Sequence, residues 1–390
     1  MSSFSTADIS HMSRALQLAE RGLYTTDPNP RVGCVLVREG EVVGEGWHAV
    51  AGGPHAEIVA LQQAGESARG ATAYVTLEPC CHHGKTPPCS EALMDAGVSR
   101  VVAAMEDPNP RVAGQGLKQL QQAGVDVASG LLQVQAEALN PGFIQRMRIG
   151  RPFIRSKLAM SVDGCTAMAS GESKWITGEA ARRDVQHLRA RSSAIMSGIG
   201  TVLADDPSLT VRLENDEHGA SGVAGGSKTG TTGVMAQRQP LRIILDPHLS
   251  TPDSARFLSQ PGSSLIVTAT EDPEVQERLE QAGAQVIYLP HGPDAIDLHA
   301  LMLLLAEREI NEVLLETGAI LSGAVLHAGI IDELVIYMAP KLMGDNARGL
   351  FHMPGLDKLA DAVTLDIRDV RAIGKDWRIT ARINPVDNVV

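Results

Sequence analysis

The sequence predicts an α/β protein with two domains, and three observations support this fold class. Strand-like and helix-like patterns alternate from about residue 8 to residue 125, residues 140–152 interrupt the alternation with Pro, Gly and Arg, and a second α/β pattern follows. A chain of 390 residues is also too long for one ordinary domain. We therefore expect one domain over residues 1–147 and another over residues 150–390.

The alternation in the first domain predicts a mostly parallel sheet with helices on both faces. Asp8 is a candidate N-cap for a helix from Ile9 to Gly22. "VGCVLVREGEVVGEGW" predicts two strands joined by a tight turn at Glu39-Gly40, and a helix from about His55 to Ala64 follows. The later segments are strand "ATAYVTL", helix "SEALMDAG", strand "RVVAAM" and helix "GLKQLQQAG".

The second domain begins at "FIRSKLAMSVDG". Its clearest predicted strands are "LRIILD", "SLIVTAT", "AQVIYL", "EVLLE" and "ELVIYMAP". The stretch from Glu214 to Gln239 is rich in Gly, Ser and Thr and has no apolar period. This composition is typical of a flexible excursion rather than of a third domain, and we assign it no function.

Composition and charge limit the possible partners. The chain is 44% hydrophobic and 21% charged, as expected of a soluble globular protein. Its net charge of -12 argues against a nucleic-acid partner, because phosphate backbones are bound by clustered Lys and Arg. "MSSFSTADIS" lacks the apolar region of a signal peptide, no apolar run is long enough to cross a bilayer, and five unevenly clustered cysteines do not indicate a disulfide framework. We expect a cytoplasmic protein with reduced thiols.

The segment "TLEPCCHHGKTPPC" contains three of the five cysteines and two histidines. Cys80 follows a predicted strand and Cys89 opens a predicted helix, where the helix N-terminus favours the thiolate that zinc requires. "PHAE" adds His55 at the start of another predicted helix. One imidazole and two thiolates indicate a catalytic zinc site, in which a fourth position stays open to water.

Glu57 is the candidate proton shuttle, because it lies two residues after His55 and is not a ligand. A non-ligating carboxylate beside the metal could carry a proton from water to a leaving amine. His-x-Glu followed by Pro-Cys-x-x-Cys is the signature of nucleobase deaminases. This chain departs from that signature, since eight residues separate Cys80 from Cys89.

This departure leaves an alternative open. Cys81 is a rival ligand, and a closed structural site would use Cys81, His82 or His83 as its fourth ligand. Cys34 and Cys165 lie in apolar or turn settings without nearby histidines, and we expect buried thiols without metal there.

The hexapeptide "DPNPRV" occurs twice, at Asp27–Val32 and Asp107–Val112, and each copy flanks a predicted strand. Two Asx-Pro turns are one interpretation. The other is that both copies line a single pocket.

"HAE" together with "TLEPCCHHGKTPPC" resembles the deaminase domain of the bifunctional riboflavin-biosynthesis deaminase/reductase family. "PNPRVGCVLV", "GEGWH" and "DPNPRVAGQG" are also similar to it, and the resemblance extends through "AMASGESKWIT", "TVLADDPSLTVR" and "ETGAILSGAVL" over nearly the whole chain. It implies a cytidine-deaminase-like three-layer αβα domain. It also implies zinc ligands His55, Cys80 and Cys89, with Cys80 preferred over Cys81, and Glu57 as the shuttle. The residues implied to face the substrate are Asn29, His48, His82 and Lys85.

The second domain offers less to reasoning from residues alone. It lacks G-x-G-x-x-G after its first strand, so a standard Rossmann domain is not supported. In "EVLLETGAILSGAVLHAG" a strand is expected to end at Glu316 and a helix to begin near Ala319 after a turn at Gly318. Backbone N–H groups at such a helix start suit a pyrophosphate.

The resemblance implies a dihydrofolate-reductase-like fold and NADPH for this domain. The implied cofactor contacts are Ala159, Trp175, Thr201, Asp205, Gly318, Ala319, Ile320, Leu321, Ser322, Gly323 and Ala324. The implied substrate contacts are Ser173, Arg189, Leu209, Arg212 and Glu316. As a separate hypothesis, Lys157 and Asp205 are the polar groups near the reacting carbon. Arg189 and Arg212 are expected to anchor phosphate, because guanidinium groups match phosphate oxygens.

The implied reactions are hydrolytic loss of an amino group from a diaminopyrimidinone that carries a phosphoribosylamino arm, and then hydride transfer that opens the ribosyl arm to ribityl. A deaminase of tRNA or single-stranded DNA bases shares the zinc motif but requires a basic groove. A structural zinc module fused to a nucleotide-binding regulatory domain has no need of Glu57. We expect a phosphorylated pyrimidine substrate, no membrane partner, and a homo-oligomer, either a dimer or a tetramer.

Overall fold

The computed structural model describes residues 4–82, 87–110, 112–213, 238–292 and 294–384. The chain forms two compact units: Met1–Pro152 with Ala306–Asn311, and Phe153–Leu305 with Glu312–Val390. Nothing in the sequence indicated that residues 306–311 pack with the first unit. Nearly all of the predicted excursion, residues 214–237, lies outside the described residues.

The first unit is built from short strands and helices. Its helices are α1 (Thr6–Glu20), α2 (Ala56–Ala64), α3 (Cys89–Asp95), α4 (Gln115–Gln122), α5 (Gln133–Leu139) and α6 (Pro141–Ile149). Its strands are β1 (Gly33–Arg38), β2 (Glu41–Trp47), β3 (Thr72–Val75), β4 (Arg100–Ala103) and β5 (Asp126–Ser129).

The strands form a sheet in the order β2-β1-β3-β4-β5, in which β3, β4 and β5 are parallel and β1 is antiparallel to both of its neighbours. Side chains of β1 alternate between two cores. Val35 and Val37 pack with α1, α5 and α6, whereas Cys34 and Leu36 pack with α2, α3 and α4. The unit therefore has three layers, as the alternating pattern predicted.

The start of the first helix differs from the prediction. Ser5, not Asp8, is the N-cap of α1, and Asp8 is the third helical residue of a capping box. The Asp8 carboxylate accepts hydrogen bonds from the Ser5 amide at 2.8 Å, the Tyr74 hydroxyl at 2.8 Å and the Arg100 guanidinium at 2.8 Å. Burial raises the pKa of Asp8, but these hydrogen bonds outweigh it and hold the pKa well below the usual range. Asp8, which was expected to cap its own helix, therefore links α1 to Tyr74 of β3 and Arg100 of β4.

Two further local predictions have different outcomes. The turn at Glu39-Gly40 is confirmed, because both residues have positive φ angles, 54° and 87°, as a two-residue hairpin turn requires. The alternation expected to break around residues 140–152 does break there, but through a second helix that follows α5 with no strand between them. Residues Pro141–Ile149 form α6, which begins with a proline in its first turn and is followed by Gly150 at φ 74°.

The second unit contains a larger sheet. Its longer strands are β6 (Phe153–Ser161), β8 (Ala194–Gly198), β9 (Leu241–Leu245), β10 (Ser264–Thr268), β11 (Ala284–Tyr288), β12 (Glu312–Leu315), β13 (Glu333–Ala339), β15 (Leu365–Ile373) and β16 (Asp376–Ile383), and β7 (Cys165–Ala167) pairs with β14 (Arg348–Gly349). Its helices are α7 (Glu179–Arg191), α8 (Ile199–Asp205), α9 (Pro273–Gln281), α10 (Leu298–Glu307) and α11 (Ala319–His327).

Within the described part of the chain, the large sheet has the order β11-β10-β9-β8-β12-β6-β13-β16-β15. The strands from β11 to β13 are parallel, and β16 and β15 add an antiparallel hairpin at one edge. All five strands predicted from sequence are present, and the α/β class is confirmed in both units. The hairpin at the C-terminal edge was not predicted. Because β8, β12 and β6 are parallel neighbours, their carboxyl ends meet at one edge, where α/β sheets bind ligands.

Among the described residues, no helix is both long enough and apolar enough to cross a membrane.

Candidate active sites

The first unit brings His55, Cys80 and Cys89 together. His55 is the N-cap of α2, Cys80 follows β3, and Cys89 is the first residue of α3. Their ligand atoms all lie within 4.8 Å of one another, and Nδ1 of His55 is 3.3 Å from Cys89 Sγ and 3.6 Å from Cys80 Sγ. Tetrahedral zinc with ordinary Zn–N and Zn–S bonds gives an N···S separation of about 3.6 Å. The donor set and its spacing therefore fit zinc.

The rival ligands lie elsewhere. Cys81 and His82 do not belong to the cluster of His55, Cys80 and Cys89, and His83 lies outside the described residues. Of the three rival ligands, the two that the structure describes are therefore not part of the cluster. Cys34 and Cys165 are buried, as expected, and neither is one of the three clustered residues.

Hydrogen bonds inside the cluster favour a thiolate at Cys80. The Cys89 amide donates to Cys80 Sγ at 3.3 Å. Hydrogen bonds from the Cys89 side chain and from His55 lower the pKa of the Cys80 thiol to about 4, against the opposing effect of burial. A sulfur that is ionised near neutral pH is the form that binds a metal ion.

Glu57 is buried in the first turn of α2, two residues beyond His55. Burial raises the pKa of its carboxyl to about 7. The close approach of α2 to the sheet depends on Gly46 of β2, because a Cβ there would lie only 2.2 Å from the Ala56 carbonyl oxygen. The packing of α2 on β2 therefore sets the depth of Glu57 beside the cluster.

Asn29 and His48 are hydrogen-bonded to each other next to the cluster. His48 Nδ1 lies 2.9 Å from the Pro54 carbonyl oxygen, which can only accept, so this nitrogen carries the proton. His48 Nε2 then accepts from the Asn29 side-chain amide at 3.0 Å. The His48 ring lies edge-on to the His55 ring with centroids 5.5 Å apart, and burial lowers the His48 pKa. Of the four predicted substrate contacts of this unit, the structure places these two together.

Side chains distant in sequence fix the first copy of "DPNPRV". The Asn140 side chain accepts from the Arg31 amide at 2.8 Å and donates to the Arg31 carbonyl at 3.0 Å. The Asn311 side chain donates to the Pro28 carbonyl at 2.7 Å and to Asp27 Oδ1 at 3.2 Å. Sequence reasoning missed both asparagines, because neither lies in a motif.

The second copy also lies beside the cluster. Asp107 accepts the Asn109 amide at 2.8 Å in an Asx turn. Burial raises the pKa of Asp107 to about 6, and Cys80 and His82 are both close enough to interact with it electrostatically. The two interpretations of the repeat are therefore compatible, since both copies form turns and both lie near the metal-like cluster. His82 is exposed, and Lys85 lies outside the described residues.

The second unit brings Lys157, Arg189 and Glu316 together at the carboxyl edge of its sheet. Arg189 Nε and one terminal nitrogen donate to the two oxygens of Glu316 at 2.6 and 3.0 Å, and Lys157 Nζ lies 3.6 Å from the same carboxylate. Burial raises the Glu316 pKa, but Arg189 and Lys157 outweigh it and hold the pKa at about 2. Glu316 is therefore a carboxylate held by two cations.

Arg189 also donates to the Thr210 carbonyl at 2.9 Å, next to the buried Leu209, whose φ is 48°. Each of the three guanidinium nitrogens of Arg189 thus donates to an oxygen of the protein. A contact of Arg189 with phosphate stays a prediction. Arg212 is exposed, and its backbone amide donates to Gln186.

The predicted pyrophosphate-binding turn has the expected local form. Gly318 is the N-cap of α11, and a Cβ there would meet open space. Ser322 and Gly323, in contrast, face the protein, because Ser322 bonds to Thr317 at 2.8 Å and a Cβ at Gly323 would lie 1.9 Å from the His352 carbonyl oxygen. The start of α11 therefore fits an anionic cofactor group, whereas Gly323 has a packing role. Ala159 lies on β6, and the exposed Ile320 and the neighbouring Ala319, Leu321 and Ala324 complete the predicted run.

Four predicted contacts lie near Lys174 in space or in sequence. This lysine pairs with Asp205 at 2.9 Å and precedes Trp175, whose exposed ring is covered by the Arg182 guanidinium at 4.6 Å. Thr201 lies one turn before Asp205 on α8, and Ser173 lies two residues before Trp175. Neither Lys174 nor Arg182 belongs to a motif, and the sequence offered no signal for either.

Comparisons with known proteins agree with this division. Residues 5–105 match the family model described as the cytidine and deoxycytidylate deaminase zinc-binding region, and residues 152–379 match the RibD C-terminal domain. The riboflavin biosynthesis protein RibD of Escherichia coli strain K12 is 52% identical over 94% of this chain and 96% of its own length. The Haemophilus influenzae RibD is 52% identical over 97% of this chain and 98% of its own length.

Solved structures agree as well. The structure of Acinetobacter baumannii RibD has 43% sequence identity to this chain. The match covers 97% of this chain and 99% of the Acinetobacter chain, with a TM-score of 0.86. A diaminohydroxyphosphoribosylaminopyrimidine deaminase/5-amino-6-(5-phosphoribosylamino)uracil reductase from Thermotoga maritima is 31% identical over the same shares, with a TM-score of 0.82.

The two sites and these similarities define a bifunctional enzyme, a zinc-binding deaminase of cytidine-deaminase-like fold joined to a reductase that uses a nicotinamide cofactor. The chain belongs to the RibD family of riboflavin biosynthesis. A deaminase of nucleic-acid bases is not favoured, because the relatives match both units of the chain.

Proposed function

We propose that this enzyme removes the 2-amino group of 2,5-diamino-6-(5-phosphoribosylamino)pyrimidin-4-one and then reduces the ribosyl arm of the product to ribityl. The observation that carries this proposal is the pair of sites: His55, Cys80 and Cys89 beside Glu57 in one unit, and Glu316 held by two cations in the other. The Thermotoga maritima relative is named for this pair of reactions.

In the deaminase, His55, Cys80 and Cys89 would hold zinc. When bound, zinc supplies a Lewis acid that lowers the pKa of water to about 7. Glu57 would carry one proton from the attacking water to the ring nitrogen, and then a second proton, from the hydroxyl group newly added to the ring carbon, to the departing amine. Its burial in the first turn of α2 supports this role, because a carboxylate shielded from bulk water exchanges protons with the substrate alone.

Substrate contacts in this unit are proposed for Asn29, His48, His82 and Lys85. The hydrogen bond between Asn29 and His48 supports a fixed orientation of both side chains. Lys85 would pair with the sugar phosphate as a point charge.

In the reductase, NADPH when bound would supply the hydride for C1 of the ribosyl arm. Glu316, oriented by Arg189, and Lys157 would bind the polyol arm, with Ser173, Leu209 and Arg212 as further substrate contacts. The N-terminus of α11 and the group formed by Ala159, Trp175, Thr201 and Asp205 would hold the cofactor. The open space beside Gly318 supports this placement. The same proposal includes three further points: the cofactor is NADPH rather than NADH, the two domains divide at residues 147–150, and the protein is cytoplasmic.

Self-association is also proposed, through the hairpin of β15 and β16. One face of this hairpin is apolar, because apolar residues of β15 pair with apolar residues of β16: Leu365 with Ile383, Ile367 with Ala381, Val370 with Ile379 and Ala372 with Trp377. A β-bulge after Ile367 keeps Val370 and Ala372 on the same face as Leu365 and Ile367. Ile367 is 59% exposed, Val370 52% and Trp377 46%. An apolar sheet face of this kind supports an interface with a second copy.

Light scattering of Ile367→Asp should show a smaller species than wild type, and Leu359→Asp, at another exposed position, is the control. An unchanged mass of Ile367→Asp would contradict self-association through this hairpin.

The test of the main proposal is turnover of the diaminopyrimidinone by the zinc-loaded chain, with and without NADPH. Ammonia should be released without NADPH, and NADPH should be oxidised only after deamination. Oxidation of NADPH at equal rate with undeaminated substrate would contradict the proposed order, and NADH used as well as NADPH would contradict the cofactor.

A further inference from the structure

We propose that Glu78 is a positioning residue of the deaminase, which fixes the loop from Asp107 to Gly116 beside the metal cluster. The proposal rests on the proposed deamination, and it assigns a function to a carboxylate that belongs neither to the metal-like cluster nor to the proton path.

The side chain of Glu78 is 3% exposed, and both of its oxygens accept hydrogen bonds from backbone amides of a single distant segment. One oxygen accepts from Asp107 at 3.0 Å and from Gly114 at 2.8 Å. The other accepts from Gly116 at 2.8 Å and from Leu117 at 3.3 Å. Hydrogen bonds to a buried charged acceptor are stronger than neutral ones, so these four contacts hold the segment firmly to the chain that follows β3.

Two of these amides belong to the first turn of α4. The residue at the N-cap position is Gly114, which has φ 80° and no side chain to cap the helix. Gly116 and Leu117 are the second and third residues of the helix, whose amides an N-cap side chain normally satisfies. Glu78 therefore caps α4 from another part of the chain, and the helix start depends on it.

The same contact brings the loop against the backbone next to a proposed metal ligand. A Cβ at Gly116 would lie 2.0 Å from the carbonyl oxygen of Pro79, the residue before Cys80. At the other end of the loop, Asp107 is close enough to interact electrostatically with Cys80 and His82. Displacing the loop therefore moves Asp107 relative to Cys80 and His82.

Glu78 acts through the loop rather than on the substrate. Four N–H donors surround its oxygens, which leaves neither oxygen directed at the cluster. A glutamine of the same shape would present its NH₂ group to two of these donors, and the two sets of N–H groups would repel each other. The carboxylate is thus required for the loop to keep its position.

The experiment compares Glu78→Gln with wild type in the full chain. We expect unchanged zinc content, a KM for deamination raised about tenfold or more with kcat within about threefold, and unchanged reductase kinetics. Amide hydrogen exchange should accelerate in peptides covering residues 107–117. Glu66→Gln, an exposed carboxylate of the same unit, is the matched control and should match wild type. Gly116→Ala, which moves the loop and keeps the charge, should reproduce the KM and exchange changes.

Unchanged exchange and kinetics in Glu78→Gln would overturn the proposal, and so would loss of zinc, because Glu78 would then act through Cys80. If the wild-type chain released no ammonia from the diaminopyrimidinone, the proposed function would fail. The exchange comparison would still decide whether Glu78 holds the loop.

Discussion

Arg189 holds Glu316 by two parallel hydrogen bonds, 2.6 Å from Nε and 3.0 Å from a terminal nitrogen, at the carboxyl edge of the sheet of the second unit. A planar guanidinium can make such a paired contact, whereas an ammonium group of equal charge cannot. The orientation of Glu316 therefore depends on the shape of its partner as well as on its charge.

Arg189→Lys should lower reductase kcat/KM by about tenfold to a hundredfold, because the charge survives and the orientation of Glu316 does not. Deaminase kinetics of the same preparation serve as the folding control and should match wild type. Equal loss of both activities would point to misfolding, and an unchanged reductase would refute the role of the paired contact.

Cys80→Ser and Cys89→Ser should each weaken zinc binding by at least about two orders of magnitude, because each removes a thiolate ligand. Zinc content after dialysis against a graded chelator measures this. Cys81→Ser is the matched control, since Cys81 is adjacent to Cys80 and lies outside the cluster. Loss of zinc from Cys81→Ser alone would reverse the ligand assignment.

Gly46→Ala should destabilise the first unit by about 1–3 kcal/mol, because its methyl group would press on the Ala56 carbonyl and move α2 off the sheet. Deaminase activity should fall further than stability alone explains, since Glu57 moves with the helix. Thermal unfolding and both activities test this prediction. A Gly46→Ala protein with normal deaminase kinetics would show that α2 tolerates the shift.

Asp8→Asn should destabilise the first unit by about 1–3 kcal/mol at neutral pH through loss of charged hydrogen bonds to Tyr74 and Arg100. The pKa of Asp8 is lower in the folded state than in the unfolded chain, so its stabilisation is complete above the unfolded value of about 3.9 and is lost as pH falls below it. Urea unfolding followed by Trp47 fluorescence, with Trp175 and Trp377 replaced by Phe, measures this.

The difference between wild type and Asp8→Asn should therefore shrink as the pH is lowered from 5 towards 2. A difference that stays constant over that range would mean that the carboxylate charge of Asp8 contributes nothing to stability.

Local patterns allowed much of the fold to be predicted. The turn at Glu39-Gly40 needs positive φ angles that glycine favours, and the apolar strands of the second unit are recognisable one at a time. The first helix was misassigned at its start because Ser5 and Asp8 are both good N-cap residues, and only the contacts of Asp8 with the sheet distinguish their roles. The hairpin of β15 and β16 mixes charged and apolar residues on opposite faces, so its strands lack a continuous apolar run.

In the candidate sites too, some residues could be predicted from the sequence and others could not. His55, Glu57, Cys80 and Cys89 were found because metal chemistry restricts both residue type and spacing. Glu78 and Asn311 act through backbone groups far away in the sequence, and no spacing rule finds such partners.

The packing of residues 306–311 with the first unit has a consequence for anyone who separates the two activities. A fragment cut at residue 152 would be missing Asn311, and with it the side-chain amide that donates to Asp27 and Pro28, the two residues directly before Asn29. The gene segment that encodes the deaminase is therefore discontinuous, and an isolated N-terminal fragment would carry an intact metal centre with a loosened substrate turn.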